Sequence, residues 1–505
     1  MTALAVHQAE ADFSILRLSA VALSPDPARV VTELFVPGGR LPAEKESRAA
    51  GLVARIMDLE EDDVEAACAW IMERFSGRYR TLETVFKDNY EVVGQRLGRQ
   101  PGLTLRRKLL IGAYFTLERA IESAALTNPS MVEHPDQSGV APGSLRFLMS
   151  VRAIGENHVS CIEFRTGVID PDGELSVDRP APFPAIGHAT PHEHDRSSFF
   201  REFGASETAE ETFGLLQRHL PERFTVQDVE EALGRLPAQP RSRRQTDDTV
   251  EHVYRAAACR YEVAFSPETD LSERVLWPQN RTEQHGMEDA RFVRVAGVDG
   301  GIRYSATYTA FDGVTASARF IETDDFLTFR MSQLIGPAAA DKGLALFPRV
   351  IDGTHFALSR WDMENTHIAA SPDGRRWDDV RQLQPLARTW ELVQGGNCGS
   401  PVEIPEGWLV LTHGVGPMRS YTIGAMLLDR DDPCRVLAVL DRPLLMPDVA
   451  GNGGNVPNIV YSCGAIRHGG NLIIPFGVND TGIRFASASI AELVARMRPP
   501  RGGLR

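Results

Sequence analysis

The stretch IRYSATYTAFDGVTASARFIET, residues 302–323, contains two short β-rich runs separated by an Asp-Gly turn. From about residue 127 onward, similar runs alternate with turns rich in Gly, Pro, Asp and Asn, as in RFLMSVRAI, GWLVLTHGV and NLIIPFGV. Strands of this length at this spacing predict an all-β sandwich, barrel or propeller.

A turn followed by a strand recurs along this β region, in SPDGRRW, VIDGTHFAL, IPEGWLVL and RHGGNLII. Four-stranded propeller blades repeat every ~40–50 residues. By that spacing, residues 127–495 hold about five blades once most of one helical interruption is set aside. The pattern therefore favours a mainly β fold with about five blades, and it leaves a pair of β-sandwiches open.

Two segments carry helical periodicity instead. From about 41 to 126, stretches such as EKESRAAGLVARIMDLEEDDVEAACAWIMERF repeat apolar positions every three or four residues. A second helical stretch, at about 197–250, interrupts the β region and ends in the polar link PAQPRSRRQTDD. We therefore divide the chain into a mostly helical N-terminal region at 1–125, a β domain at 126–495 that carries the helical insertion, and a tail at 496–505.

The composition narrows the function classes. A net charge of −14 over 505 residues argues against a nucleic-acid partner held by general charge attraction. The six cysteines are scattered without a Cys-x-x-Cys pair, a pattern typical of free thiols in a reducing cytoplasm. MTALAVHQAEADF does not resemble a signal peptide, and no apolar run of ~18 residues is present. We expect a cytoplasmic protein without a membrane segment.

The segment HGMEDARF, residues 285–292, is the most informative for chemistry. It places the adjacent carboxylates Glu288 and Asp289 two residues from the guanidinium of Arg291, shortly before a strand-like run. One interpretation is a turn capped by an aspartate and paired with a nearby arginine. The other is a catalytic acid held at the mouth of a β-fold. The eight residues alone leave both interpretations open.

Two further motifs indicate little. HATPHEHD, residues 188–195, offers three histidines and two acids but no convincingly spaced fourth ligand, so we expect no metal site. GGNCGSP, residues 395–401, lacks the Lys-Ser/Thr of a phosphate-binding P-loop and is interpreted as a tight turn.

Several stretches together resemble one family. In order and spacing, TNPSMVEHPDQ, HGMEDARF, KGLALFPRVIDG, SRWDMEN, GWLVLTHGV and GNVPNIVYSCGA are similar to glycoside hydrolase family 130, the β-mannoside phosphorylases and β-mannosidases. The resemblance covers roughly residues 125–490 and not the helical N-terminus. It implies a five-bladed β-propeller with the active site at its central axis, and no cofactor besides inorganic phosphate as co-substrate.

An inverting phosphorylase needs a single carboxylic acid, because phosphate itself attacks the anomeric carbon from the opposite face. The resemblance implies that Asp289 is this acid and passes its proton through a sugar hydroxyl, while Glu288 orients the sugar. Phosphate needs cations or strong donors around it. The candidates beside the motifs are Arg152, Arg165, Arg291, Arg349, Arg360 and His413.

Short polar groups near the same motifs are candidates for binding sugar hydroxyls, since a carboxylate and an amide together satisfy paired hydroxyls. They are Asn128, Ser130, Asp136, Gln137, Glu288, Tyr308, Glu364 and Asp480. Tyr308 is also interpreted as a strand residue of the core. Val350 and Ser359 stand where many family phosphorylases carry a lysine and a histidine. This departure keeps a hydrolase open, with Glu364 as a candidate base.

The leading prediction is inverting phosphorolysis of β-1,2- or β-1,4-linked manno-oligosaccharides, which releases α-mannose 1-phosphate. An inverting β-mannosidase on the same fold is the alternative, and a non-catalytic propeller scaffold is a third reading that would tolerate loss of Asp289. The expected partners are an oligosaccharide and phosphate, with no nucleic acid and no membrane. The helical N-terminal region is a candidate surface for homo-oligomer formation.

Overall fold

The structure, a computed structural model, describes residues 15–37, 42–98, 102–203, 210–234, 251, 253–296, 301–447 and 454–500. The MTALAVHQAEADF segment, the polar link at 237–248 and the last part of the tail lie outside the described residues. Among the helices in these ranges, none is both long and apolar enough to cross a bilayer.

The described part of the N-terminal region combines three strands with four α-helices. Its helices pack around a core that includes Val64, Phe86, Leu110 and Phe115. The Thr104 side chain begins the fourth helix by accepting a hydrogen bond from the next turn. The elements are β1 (Leu16–Leu23), β2 (Val30–Leu34), α1 (Pro42–Met57), α2 (Glu61–Phe75), α3 (Leu82–Leu97), α4 (Leu105–Tyr114) and β3 (Thr116–Ala120).

The helical pattern predicted to run to residue 126 ends earlier, at Tyr114. The following residues form β3, which pairs with β2 along its whole length from Val30–Ala120 to Leu34–Thr116. Strand pairing with a distant segment therefore overrides the helical periodicity of the sequence here.

The β domain consists of consecutive antiparallel units, each beginning with a strand that we call its first strand. The first unit contains hairpins of long, buried strands. Its strands are β4 (Ala125–Glu133), β5 (Leu145–Ile154), β6 (Ser160–Ile169) and β7 (Leu175–Val177).

The helical insertion follows the first unit and has its own small core, which includes Phe199, Leu216, Phe224 and Val229. The helices predicted at about 197–250 are present in the described part of that range. The elements are β8 (Ala185–Ile186), β9 (His188–Pro191), β10 (His194–Asp195), α5 (Arg196–Phe203), α6 (Glu210–His219), β11 (Arg223–Phe224), α7 (Val226–Gly234), β12 (Tyr261–Ala264) and β13 (Arg274–Val275).

Among the described residues, strand pairing between the second unit and the first is limited to one position, where Gly286 pairs with Ser160. A Cβ on Gly286 would lie 2.8 Å from the Ser160 Cβ, so only glycine permits this approach. Strands β12 and β9 extend the outer edge of the unit. Its own strands are β14 (Gly286–Ala296), β15 (Ile302–Phe311), β16 (Ala316–Thr323) and β17 (Thr328–Gln333).

Three more units complete the fold. The third contains β18 (Ala345–Leu346), β19 (His355–Ser359), β20 (Thr366–Ser371) and β21 (Asp379–Gln384). The fourth contains β22 (Gln394–Asn397), β23 (Val402–Ile404), β24 (Gly407–Val415), β25 (Tyr421–Leu428) and β26 (Val436–Val439). The fifth contains β27 (Val460–Tyr461), β28 (Ile466–His468), β29 (Asn471–Val478) and β30 (Gly482–Ser489), followed by the helix Ile490–Arg496.

The outer edge of the fifth unit is formed by β1, whose Leu16 pairs with Ala488 of β30. The N-terminal region, bounded at residue 125 from the sequence, therefore shares a sheet with the β domain. The mainly β fold predicted from the sequence is confirmed.

Candidate active site

First strands from four of the five units are tied together around one guanidinium, that of Arg291. Its Nε donates to the carbonyl of Cys398, just after β22, at 2.8 Å. One terminal nitrogen donates to the carbonyl of Asp289 at 2.8 Å, and the other to the hydroxyl of Tyr461 on β27 at 3.0 Å. The Ser130 hydroxyl of β4 accepts the Phe292 N–H of β14 at 3.2 Å. Buried donors and acceptors thus fix these strands relative to one another.

Asp289 lies on a β-bulge of β14, where the register with β15 shifts between Glu288 and Arg291. Asn128 lies on a matching bulge of β4. Both residues have left-handed backbone, with φ of 56° and 48°. Bulges redirect side chains, and strained backbone of this kind concentrates at functional sites. Here the two side chains meet: the Asn128 amide donates to a carboxylate oxygen of Asp289.

The hydrogen bonds fix how the Asn128 amide is oriented. The ionised Asp289 carboxylate can only accept, so the amide nitrogen of Asn128 faces it and Asn128 Oδ1 accepts from the Thr127 hydroxyl at 3.1 Å. Asp289 itself is only 7% exposed. Its carboxylate is therefore held in one position between the first and second units.

Arg152, on β5, bridges the two motif carboxylates. One terminal nitrogen contacts Glu288 Oε1 at 2.5 Å, and the other lies 3.8 Å from Asp289 Oδ1. Its Nε donates to the Ser160 hydroxyl at 2.9 Å, which anchors the guanidinium to β6. The predicted pairing of acid and cation is present, but the cation that faces the Asp289 carboxylate is Arg152. Arg291 contacts the backbone carbonyl of Asp289 instead.

The pKa values of three neighbouring carboxyls are pushed apart. Burial raises the pKa of Asp289, but the fields of Arg152, Arg291 and Lys342 outweigh it and the pKa is lowered overall. Burial raises the pKa of Glu288, and the negative charge of Asp289 adds to this. Burial and Asp289 likewise raise the pKa of Asp480. Carboxyl groups separated in this way can take different roles in proton transfer.

A second group of buried polar residues lies beside these carboxyls. Arg360 donates to His413 Nε2 at 3.0 Å, and His413 Nδ1 lies 3.2 Å from the carbonyl of Asn397. Since a guanidinium nitrogen can only donate, Nε2 accepts and Nδ1 carries the hydrogen. Burial, followed by Arg360, lowers the pKa of His413 well below its usual value. His413 is therefore a neutral group that orients Arg360, and the predicted cation here is Arg360 alone.

Two atoms in this group have no hydrogen-bond partner among the described residues, Arg360 Nε and Asn397 Oδ1. Both belong to buried side chains, at 6% and 0% exposure. Buried polar atoms without a partner are rare and point to a bound molecule or water. A donor and an acceptor are thus available for a polar ligand.

The comparisons with known proteins decide the family. Residues 261–498 match the sequence profile of glycoside hydrolase family 130, described as β-1,4-mannooligosaccharide phosphorylase. A 1,2-β-oligomannan phosphorylase of Thermoanaerobacter sp. is 31% identical over 227 residues, which cover 44% of this chain and 75% of that protein. The chain belongs to glycoside hydrolase family 130.

Other family 130 members are also similar to this chain. A β-1,2-mannobiose phosphorylase of Listeria innocua is 32% identical over 232 residues, 44% of this chain. The matched part spans 63% of that relative's length. The solved structure of the Listeria enzyme with β-1,2-mannobiose has 21% identity and a TM-score of 0.44, covering 74% of this chain and 92% of that one.

Three cationic or aromatic residues that the family resemblance suggested lie outside this site. Arg165 belongs to a buried cluster with Glu122 and Glu163, where its charge is already matched. Arg349 lies in a bend after β18 and pairs with Glu403 at 2.9 Å near the surface. Tyr308 is buried in the core and donates to Glu283 at 2.6 Å, so neither ring face is open to a sugar.

The remaining candidates divide between the site and its surroundings. Asp480 lies in the site, whereas Asp136 and Gln137 build the β4–β5 turn through bonds to backbone groups. The Ser130 hydroxyl accepts a hydrogen bond from the backbone of β14. Glu364 is an exposed loop residue. The hydroxyl of Ser359 donates to the carbonyl of Ala338 in the interior.

The two secondary motifs differ. The prediction of a tight turn for GGNCGSP is wrong, because residues 395–397 belong to β22, and Asn397 lies in the candidate site. His194 of HATPHEHD is stacked on Phe224 and bonded to the carbonyl of Ala257. No group of three or more metal-ligating side chains occurs among the described residues. All six cysteines are free thiols.

Sequence reasoning missed Lys342, Arg419 and Asn397. Lys342 lies near enough to lower the pKa of Asp289, Glu288 and His413, and it precedes β18. Arg419 lowers the pKa of Asp480. Lys342 opens the KGLALFP stretch, so its place in a family motif was the signal available for it.

Proposed function

We propose that this protein catalyses inverting phosphorolysis of β-mannosides and releases α-mannose 1-phosphate. The observation that carries the proposal is Asp289, a buried carboxylate fixed on a bulge by Asn128 and flanked by Arg152 and Lys342. A single acid beside convergent cations suits a reaction in which phosphate is the nucleophile. Relatives named as β-1,2- and β-1,4-mannooligosaccharide phosphorylases support the substrate class.

We also propose that the five units are the blades of a β-propeller. The support is their order along the chain and the hydrogen bonds of Arg291 and its neighbour Phe292 on β14, which reach β4, β27 and the end of β22. With this arrangement Asp289 and Lys342 lie at the central axis, where every blade can contribute one group.

In the reaction, a phosphate oxygen forms a bond to the anomeric carbon while the bond from that carbon to the leaving oxygen breaks. The leaving oxygen takes a proton that originates on Asp289 and passes through a sugar hydroxyl. Asn128, Glu288 and Asp480 are the groups within the site that hold sugar hydroxyls. The phosphate is held by Arg152, Lys342 and Arg360, with the Arg360 Nε donor available for it.

An acid with a lowered pKa is ionised at neutral pH, so Asp289 must first gain a proton. Phosphate binding supplies a reason for this. The cations Arg152 and Lys342 hold the pKa of Asp289 down, and burial alone would raise it. A phosphate dianion on those cations cancels their field, so the pKa of Asp289 rises when both substrates are bound. Asp289 therefore becomes protonated, and able to act as the acid, only when sugar and phosphate are both bound.

Inorganic phosphate is the one co-substrate in this proposal, and no other cofactor takes part. The free thiols support a reducing cytoplasm as the place of action. Self-association through the helical region stays a prediction.

The test is to incubate the protein with β-1,2- and β-1,4-mannobiose, with and without phosphate, and to assay mannose and mannose 1-phosphate. Mannose 1-phosphate formed only with phosphate is the expected result. Free mannose released regardless of phosphate would instead mean a hydrolase, and a carboxylate base such as Glu364 would be sought. No product from either sugar would favour the scaffold interpretation.

A further inference from the structure

Five large apolar side chains are exposed on neighbouring loops of the third and fourth units, and we call them the apolar rim. The loops are tied by backbone hydrogen bonds, from Gly395 to Glu364 at 2.8 Å and from Val393 to Val415 at 3.0 Å. Isolated apolar residues on a surface are ordinary, but a contiguous group marks an interaction site. The rim consists of Trp361, Met363, Leu392, Val393 and Met418.

Both ends of the rim border the candidate active site. Trp361 directly follows Arg360, whose guanidinium contacts His413 in the interior. Met418 directly precedes Arg419, which lies close enough to Asp480 to lower the pKa of that carboxyl. A molecule that extends outward from the site therefore meets the rim next.

Trp361 is held in its exposed position by its own loop. The Met363 N–H donates to the carbonyl of Arg360 at 2.7 Å and closes a tight turn. The Asp362 carboxylate accepts the backbone N–H groups of Glu364 and Asn365 at 2.9 and 2.8 Å. The indole, 46% exposed, leans against the His367 ring with centroids 6.1 Å apart. A rigid aromatic surface binds with little loss of conformational entropy.

The fourth unit presents its part of the rim on strained backbone. Met418 is 87% exposed, and it and Arg419 have φ of 56° and 54°. Two successive non-glycine residues in the left-handed region persist only when the surroundings enforce them. This turn therefore holds Met418 and Arg419, both exposed, as a fixed unit beside the site.

We propose that the apolar rim binds the sugar units of a β-mannoside chain beyond the bond that is cleaved, with Trp361 as the stacking platform. The proposal rests on the proposed function. In a β-mannopyranoside the axial C–H groups at C1, C3 and C5 share one face, which is apolar and matches an indole. The neighbouring Arg419 and Glu364 meet the hydroxyls at the sugar edges. The rim therefore makes oligosaccharides of three or more units better substrates than mannobiose.

The experiment compares kcat/KM for β-mannotetraose and β-mannobiose in wild type and in Trp361→Ala. The ratio of tetraose to biose falls about tenfold in the variant, the size of one lost stacking contact. Trp70→Ala is the matched control, because Trp70 is 56% exposed on α2 and leaves the ratio unchanged. An unchanged ratio in Trp361→Ala, including one in which kcat/KM falls equally for both sugars, would overturn the proposal.

A binding measurement separates this inference from the proposed function. Calorimetric titration of the wild type with each sugar, without phosphate, needs no turnover. Tighter binding of the tetraose that is lost in Trp361→Ala supports the rim even if no sugar phosphate ever forms. Equal affinity for the two sugars in the wild type would contradict the rim even if phosphorolysis is efficient.

Discussion

Among the described residues, two buried clusters of arginines and carboxylates differ in whether a hydrogen-bond donor is available to a ligand. The first, which we call the structural quartet, consists of Arg29, Glu122, Glu163 and Arg165, with side chains 0–4% exposed. The second is the site around Arg152, Glu288 and Asp289, with side chains 10–21% exposed.

In the structural quartet each arginine contacts both carboxylates. Arg29 lies 2.8 Å from Glu122 and 2.6 Å from Glu163, and Arg165 contacts the same two residues. The quartet joins the N-terminal region to β6, and its one buried side-chain atom without a partner among the described residues is an acceptor, Glu163 Oε1, so it offers no donor to phosphate. In the site, by contrast, the cations come from different units and Arg360 Nε is a donor without a partner. The same residue types thus stabilise the fold in one place and form a site with a donor available to a ligand in the other.

The largest effect on kcat/KM is expected from Asp289→Asn, which keeps the shape of the side chain and removes the acid. We expect kcat/KM to fall at least ~10³-fold with the melting temperature unchanged, since general acids contribute about 10²–10⁴. Asp379→Asn, a surface carboxylate 52% exposed, is the control and should keep full activity. Activity of the Asp289 variant within tenfold of wild type would remove Asp289 from the mechanism.

Arg165→Met tests the structural quartet. It leaves Glu122 and Glu163 with one cation fewer, and breaking a buried pair costs about 3–5 kcal/mol of unfolding free energy. Arg152→Met should cost less than half as much, because the Arg152 site is partly open to water. Urea denaturation followed by circular dichroism gives both values. Normal stability combined with a raised KM for phosphate would restore the phosphate role that the sequence suggested for Arg165.

Lys342→Met tests the candidate active site. The loss of one phosphate-side cation should raise the KM for phosphate about 10–100-fold, equivalent to ~1.5–3 kcal/mol for a charged hydrogen bond. Arg349→Met is the control, because Arg349 is occupied by Glu403 on the surface and should leave this KM unchanged. The assignment of the two residues would be reversed if only the Arg349 variant lost phosphate affinity.

The smallest expected effect is on how the free energy of unfolding changes with pH. Burial, with Glu163 adding to it, raises the pKa of Glu122 to about 7. Between its unfolded value and pH 7 the folded protein holds the extra proton, so this group stabilises at low pH and the benefit is lost as pH rises. The pKa of Glu163 is lowered, so its own contribution changes only at more acidic pH.

Glu122→Gln measures this contribution directly. We expect the unfolding free energy of wild type relative to the variant to fall by about 1–3 kcal/mol between pH 5 and pH 7.5. Comparing the two proteins cancels the titration of the histidines, which act in the same window. A constant difference across that range would show that Glu122 titrates normally in the fold.

Much of the fold follows from local patterns in the sequence. Alternating runs with turn residues between them predicted strands such as β15 and β16, and three- and four-residue periodicity predicted α2. The pairings of β3 with β2 and of β1 with β30 join segments that local patterns treat separately. They depend on contacts between distant residues, which no local pattern records.

The site shows the same limit. Motif spacing indicated Asp289, Arg152, Arg360 and His413, which the structure brings together. It did not separate Arg152 from Arg165, since both alternate with apolar residues on neighbouring strands. What separates them is the partner supplied by a distant segment: Glu122 approaches Arg165 from beyond β3, and Glu288 approaches Arg152 from β14.

The pairing of β1 with β30 also sets the order in which the molecule can be finished. Leu16 and Ala488 are partners, although about 470 residues separate them along the chain. At ~5–20 residues per second, the ribosome takes roughly 20 to 90 seconds to deliver the second after the first. Through that interval the β1 edge is unpaired, and a contact of such sequence separation forms late. The fifth unit is a clasp that closes only once β30 has been made.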